Sequence, residues 1–230
     1  MSATQSLLAV QQRIEQACLQ AGRPLQDVRL LAVSKTFPAE RVLDLAKAGQ
    51  QAFGENYLQE ALDKITRLDG IDGQPPLEWH FIGPIQSNKT RPIAEHFAWV
   101  HSVDRLKIAQ RLSEQRPPHL PPLNVLVQVN TSGEASKSGV APNEVVALCQ
   151  AIAHLPRLNL RGLMTIPAPT DNEAQLKSEF QTCATLHQQL NQIGLPVDTL
   201  SMGMSSDLEL AIACGSTCVR VGTALFGSRG

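Results

Sequence analysis

Eight short apolar runs, at residues 28–34, 51–54, 77–82, 98–102, 123–129, 158–164, 197–201 and 217–221, alternate along the chain with segments of helical period. The runs have strand length and carry the apolar residues of strands buried on both faces. Between them, segments such as 39–48, 57–67, 104–115, 142–154 and 173–193 repeat their apolar residues every three or four positions. Eight βα units in one chain, with no break in composition to mark a boundary, predict an α/β fold: a single (β/α)8 TIM barrel spanning 1–230. An extra amphipathic helix should precede it within 1–22. An open doubly wound sheet is the alternative architecture.

The bulk composition narrows the function by exclusion. With 20 basic and 21 acidic residues the net charge is −1, which favours neither nucleic acid nor an anionic membrane as partner. The first 22 residues contain Arg13 and Glu15 and lack the apolar core of a signal peptide. No run approaches transmembrane length. The cysteines are five and scattered, which suggests reduced thiols and a cytoplasmic protein. Cys214 and Cys218 have no second ligand pair at zinc-like spacing, so no metal site is expected.

A barrel binds its ligands in the loops at the carboxyl ends of its strands. Strand one ends on Lys35, in Leu30-Leu31-Ala32-Val33-Ser34-Lys35, and no other of the seven lysines terminates an apolar strand. Apolar surroundings disfavour an ammonium, and a neutral amine is the nucleophile that condenses with an aldehyde. Taken alone, Lys35 reads more simply as a strand-end lysine whose head reaches water. The loop after strand seven changes that balance. Ser201-Met202-Gly203-Met204-Ser205-Ser206-Asp207-Leu208-Glu209 pairs Ser206 with Glu209 at capping-box spacing, so a helix should open near Ser205. Helix-start amides, Gly203 and the hydroxyls of Ser201 and Ser205 suit a phosphate. Strand eight then delivers Arg220-Val221-Gly222-Thr223 beside that loop. In a closed barrel both loops neighbour Lys35, and a ligand carrying an aldehyde and a phosphate would bridge them. Pyridoxal 5′-phosphate (PLP) is such a molecule.

Six blocks extend this pattern: Ala32-Val33-Ser34-Lys35; Phe53-Gly54-Glu55-Asn56-Tyr57; Trp79-His80-Phe81-Ile82-Gly83 with Gln86 and Asn88-Lys89; Gly162-Leu163-Met164-Thr165; Ser201-Met202-Gly203-Met204-Ser205 with Asp207; and Arg220-Val221-Gly222-Thr223 leading to Phe226-Gly227. With these blocks the whole chain resembles the YggS-type pyridoxal phosphate homeostasis proteins, single-barrel relatives of the N-terminal domain of alanine racemase. The resemblance implies that Lys35 carries PLP as a Schiff base and that Asn56 and Met164 line the cofactor. It further implies that Ser201, Gly222 and Thr223 hold the phosphate, with Met202 and Ser205 in the same loop, and that Arg220 faces the pyridine nitrogen. The implied role is binding PLP and balancing its intracellular supply, with PLP-requiring apo-enzymes as recipients and no established catalytic residue.

An arginine at the pyridine nitrogen leaves that nitrogen unprotonated and weakens the ring as an electron sink. Racemases with such an arginine bring a second acid/base from another domain, whereas this sequence stops at Gly230. The expectation is therefore a monomeric carrier, with a PLP-dependent amino-acid racemase as the alternative. A PLP-free Schiff-base lyase or aldolase acting on a phosphorylated sugar is a third possibility. Lys89 and Lys137 lie in loops on the ligand face, where transfer of PLP and plain solvation are the competing roles. His80 could touch the cofactor or be a satisfied core histidine, while Trp79, Phe81 and the lone tyrosine, Tyr57, read as packing residues.

Overall fold

The computed structural model describes residues 2–71, 75–134 and 137–227. Its eight strands are β1 Arg29–Val33, β2 Ala52–Glu55, β3 Glu78–Phe81, β4 Trp99–Val103, β5 Leu123–Val129, β6 Leu158–Thr165, β7 Thr199–Ser201 and β8 Cys218–Val221. They form one closed barrel in sequence order, every neighbouring pair parallel. All eight expected strands are present, each within about two residues of the expected bounds, so the open-sheet alternative fails. The helices are α1 Ala3–Gln20, α2 Ala39–Lys47, α3 Leu58–Leu68, α4 Thr90–His96, α5 Leu106–Gln115, α6 Val145–Ala153, α7 Glu173–Gln192, α8 Leu208–Ala213 and α9 Thr223–Phe226.

Helix α1 is the expected extra element. Ser2 caps it through a reciprocal capping box with Gln5. Its apolar stripe of Leu7, Val10 and Ile14 is buried, and the helix packs on α8 and α9. Arg13 pairs with Glu209 at 2.8 Å. Thus α1 braces the two short helices that follow the last two strands.

One local expectation needs correction. Helix α8 opens at Leu208 with Asp207 as its N-cap residue, and Ser206 makes no capping bond. Asp207 Oδ1 instead accepts the amide of Met204 at 2.5 Å, which holds 204–207 in a turn and delays the helix.

The main core lies between the strands and the helices, with Phe53, Trp79, Phe81, Phe97 and Phe180 among its members. Trp79 and Phe81 therefore pack as expected. Inside the barrel, Leu31, Ala52, Ile82 and Cys218 form one small cluster and Trp99, Leu126 and Met164 another. No helix among the described residues is long and apolar enough to cross a membrane. The five cysteines are free, and burial pushes the Cys149 and Cys183 thiols up to about 12.

Strands β6 and β7 approach so closely at Gly162, which has φ +150°, that a Cβ there would collide with the Thr199 carbonyl. Backbone on a strand of a closed ring cannot retreat without opening the ring. Gly162→Ala should therefore cost about 3 kcal/mol or more, seen as a lower urea midpoint with little change in slope.

Candidate functional site

The turn that follows β1 is held from outside the barrel by a buried charge network. Ser34 donates its amide to Gly54 O at 3.0 Å and its hydroxyl to Glu55 Oε1 at 2.6 Å. Lys64 on α3 donates to Ser34 O (2.7 Å), Glu55 Oε1 (2.7 Å) and Glu60 Oε1 (2.5 Å). Glu60 Oε1 also accepts the amide of Thr36 at 2.6 Å. Glu55 is fully buried and Lys64 nearly so. Burial raises the Glu55 carboxyl, while hydrogen bonds from Lys64 and Ser34 pull it back down. Thr36 sits at φ +69°, which costs a β-branched residue about 1–2 kcal/mol. Lys35 lies between Ser34 and Thr36, both of them fastened.

Lys35 emerges half-buried into a cavity of about 520 Å³ at the carboxyl ends of the strands. The walls include Val33, Ile82 and Ile166 as apolar surface and Asn56, Ser205 and Thr223 as polar groups. Arg220 and Gly222 complete the side formed by β8. Six of the nine expected residues, Lys35, Asn56, Ser205, Arg220, Gly222 and Thr223, thus share one cavity. Such volume and mixed lining match ordinary small-molecule sites.

Arg220 is 4 % exposed, with Nη1 donating to Ser201 Oγ and Nη2 to Thr165 O, each at 2.8 Å. Among the described residues no carboxylate forms an ion pair with it. Burial lowers its pKa while Asp207 acts the other way, and a guanidinium stays charged, so a cation faces the cavity with no carboxylate at ion-pair distance among the described residues. Asn56 presents a second open valence: its Oδ1 is buried and has no partner. These groups fit an anionic, hydrogen-bonding ligand.

The other three expected residues lie beneath the cavity lining. Ser201 is fully buried and holds Arg220. Met164 packs inside the barrel with Trp99 and Leu126. Met202 belongs to the main core, and its carbonyl accepts the Ser216 hydroxyl at 2.6 Å. Helices α8 and α9 are only six and four residues long, so macrodipole attraction for an anion is smaller than the sequence suggested. Hydroxyls and individual amides must supply it.

Lys89 is exposed and Lys137 half-buried, and neither lines the cavity. Residues 135 and 136 of the loop 130–139 lie outside the described residues. His80 is a satisfied core histidine, bonded to Glu78 and His101. Tyr57 is 54 % exposed, so its packing role is not observed. The stretch it occupies turns outward to start α3.

Sequence reading passed over Glu55, Lys64 and Glu60. A signal existed, because Lys64 shares a buried helix face with Ala61 and Leu68 and had to meet an acid there. Lys64→Met would leave the Glu55 carboxylate buried and uncompensated. A carboxyl whose folded pKa lies above its unfolded value loses stability as pH rises through the folded pKa. The variant should be about 3–5 kcal/mol less stable than wild type at pH 8, with the gap narrowing as pH falls toward 5, measured by urea unfolding at both values.

Comparison with known proteins agrees with this geometry. Residues 6–230 match the family model for the alanine racemase N-terminal domain. A pyridoxal phosphate homeostasis protein of Pseudomonas aeruginosa is 60% identical over 225 residues, covering 98% of this chain and 95% of that one. One from Escherichia coli K12 is 51% identical over 224 residues, covering 97% and 95%. PipY of Synechococcus elongatus, solved with PLP bound, superposes with a TM-score of 0.84 at 36% identity, covering 98% of this chain and all of that one. Alanine racemase of Corynebacterium glutamicum, at 19% identity and TM-score 0.67, shares the fold over 61% of its own length. By domain, sequence and structure alike, the chain belongs to the pyridoxal phosphate homeostasis protein family.

Proposed function

We propose that this protein binds PLP in the Lys35 cavity and serves the balance of intracellular PLP, holding the cofactor through a Schiff base and releasing it to PLP-requiring apo-enzymes. The observation that carries this is the meeting of Lys35, Arg220 and the turns after β7 and β8 around one cavity. Lys35 condenses with the aldehyde, one water leaving as the C=N bond forms. Ser205, Gly222 and Thr223 receive the phosphate, and Asn56 and Ile82 flank the ring. Gly222 lets the turn after β8 lie close against β1, since a Cβ there would press on the Val33 carbonyl at 3.3 Å. Ile166 and Met204, at 42 % and 37 % exposure, form a partly open rim through which the cofactor can exchange.

Arg220 weakens the ring as an electron sink in a carrier and in a racemase alike, so the second acid/base is what separates the two. When bound, PLP supplies an electron sink only as strong as its ring nitrogen is protonated, and a guanidinium cannot give up a proton to it. A racemase would also need a second acid/base across the ring from Lys35. The charged residues lining the described cavity are Lys35 and Arg220. PipY with PLP bound supports the ligand, and the homeostasis proteins support the role.

Purified protein given PLP should develop a visible band that borohydride fixes to the Lys35 peptide. Lys35→Ala should abolish the fixed adduct and weaken PLP binding at least about tenfold, since the covalent link is lost. Wild-type protein that takes up no PLP, or an adduct that persists in Lys35→Ala, would overturn the assignment. Racemisation of an amino-acid panel well above the rate with free PLP would favour the racemase instead.

A further inference from the structure

A row of polar side chains crosses the barrel interior from one mouth to the other, and Arg220 is its upper end. Arg220 Nη1 donates to Ser201 Oγ at 2.8 Å, and Ser201 Oγ lies 3.0 Å from His101 Nδ1. His101 Nε2 lies 2.9 Å from His80 Nδ1, and His80 Nε2 lies 2.6 Å from Glu78 Oε1. Four strands, β8, β7, β4 and β3, each give a link, and Glu78 begins β3 at the far end. There Glu78 pairs with Arg29 at 2.7 Å beside a cavity of about 360 Å³ at the opposite mouth, lined in part by Arg29, His80 and His101.

The two ends fix the direction of every proton between them. Arg220 can only donate. Although burial pushes the Glu78 carboxyl up, contacts with His80 and Arg29 outweigh it and hold the group ionised, so it can only accept. Burial depresses His80 to about 4 and His101 well below the usual histidine range, so both rings are neutral. His80 must then carry its proton on Nε2, toward Glu78, leaving Nδ1 to accept from His101 Nε2–H. His101 Nδ1 is left to accept the Ser201 hydroxyl proton. A serine hydroxyl is a rotor, and this acceptor turns its proton away from Arg220 and its lone pair toward it. Removing the His101 acceptor would leave the Ser201 hydroxyl without a fixed orientation, and one of the two contacts that aim Arg220 would lose its preset direction.

We propose that His101, acting through Ser201, is a positioning residue for Arg220, and that His80 and Glu78 extend that control to the opposite mouth of the barrel. The cofactor-dependent part of the test rests on PLP binding as proposed above. His101→Phe keeps the ring but removes both nitrogens, while His101→Gln restores one acceptor and a donor. His101→Phe should still form the Lys35 adduct, but its PLP dissociation constant should rise about tenfold, the worth of one lost hydrogen bond to a charged group, and its visible band should move. His101→Gln should return both toward wild type. Unchanged affinity and band in folded His101→Phe, or His101→Gln no better than His101→Phe, would overturn the proposal. Should His101→Phe fail to fold, Glu78→Leu at the partly exposed end decides, with a smaller shift of the same sign expected and none overturning it.

A cofactor-free arm keeps the two claims apart. At pH 7, imidazole nitrogen NMR of the protein without PLP should report His80 and His101 as neutral Nε2–H tautomers, and Arg220→Met should move the His101 signals. The other tautomer on either ring, or His101 signals indifferent to Arg220→Met, would overturn the chain. Failure of wild type to take up PLP would instead overturn the cofactor assignment and leave this arm to decide.

Discussion

A closed ring of strands has one seam joining its two ends, and here that seam sets the chemistry. Strand β1 pairs with β8 from Arg29↔Cys218 to Ala32↔Val221. This register puts Leu31 beside Arg220 and carries Lys35 up alongside Gly222 and Thr223. Because side chains alternate along a strand, a slip of one residue would turn Arg220 out of the interior and the Lys35 turn away from the last loop. The seam is reinforced on both sides: α1 lies over α8 and α9, and Phe37 stacks on Phe226 with centroids 4.8 Å apart. Arg41 adds a bond to the Phe226 carbonyl at 2.9 Å.

Two buried polar systems flank the cavity and follow different rules. Outside the barrel, Lys64 is shared between Glu55 and Glu60, and the bonds of the three fall on the backbone of the Lys35 turn. Such a network gains little net stability over apolar packing but makes any other turn conformation expensive. Inside the barrel, the hydrogen-bond partners of Arg220 among the described residues are the neutral Ser201 hydroxyl and Thr165 carbonyl, so dipoles stabilise its charge. One system fixes a position; the other holds a charge.

Much of this was legible in the sequence because the strands are short apolar runs separated by clear helical periods, and a ligand face follows from strand order alone. Lys35, Gly222 and Thr223 were found that way, whereas the roles of Arg220 and Asn56 came from the family resemblance. The misses have physical causes. Ser206 and Glu209 have capping-box spacing, yet Asp207, one residue on, captured the Met204 amide and delayed the helix. Ser201, Met164 and Met202 sit beside lining residues in sequence, but strand alternation and packing put them under the surface. The link between His101 and Ser201 joins residues 100 apart on strands that are not neighbours, and only closure of the barrel brings them together.

Gly83 shows how closely the loops behind the Asn56 side of the cavity are packed. A side chain there would run into the backbone of Asn56, so the loops after β2 and β3 already touch main chain to main chain. The Asn56 edge of the cavity is therefore backed by main chain packed on main chain, and repacking of side chains alone does not widen it.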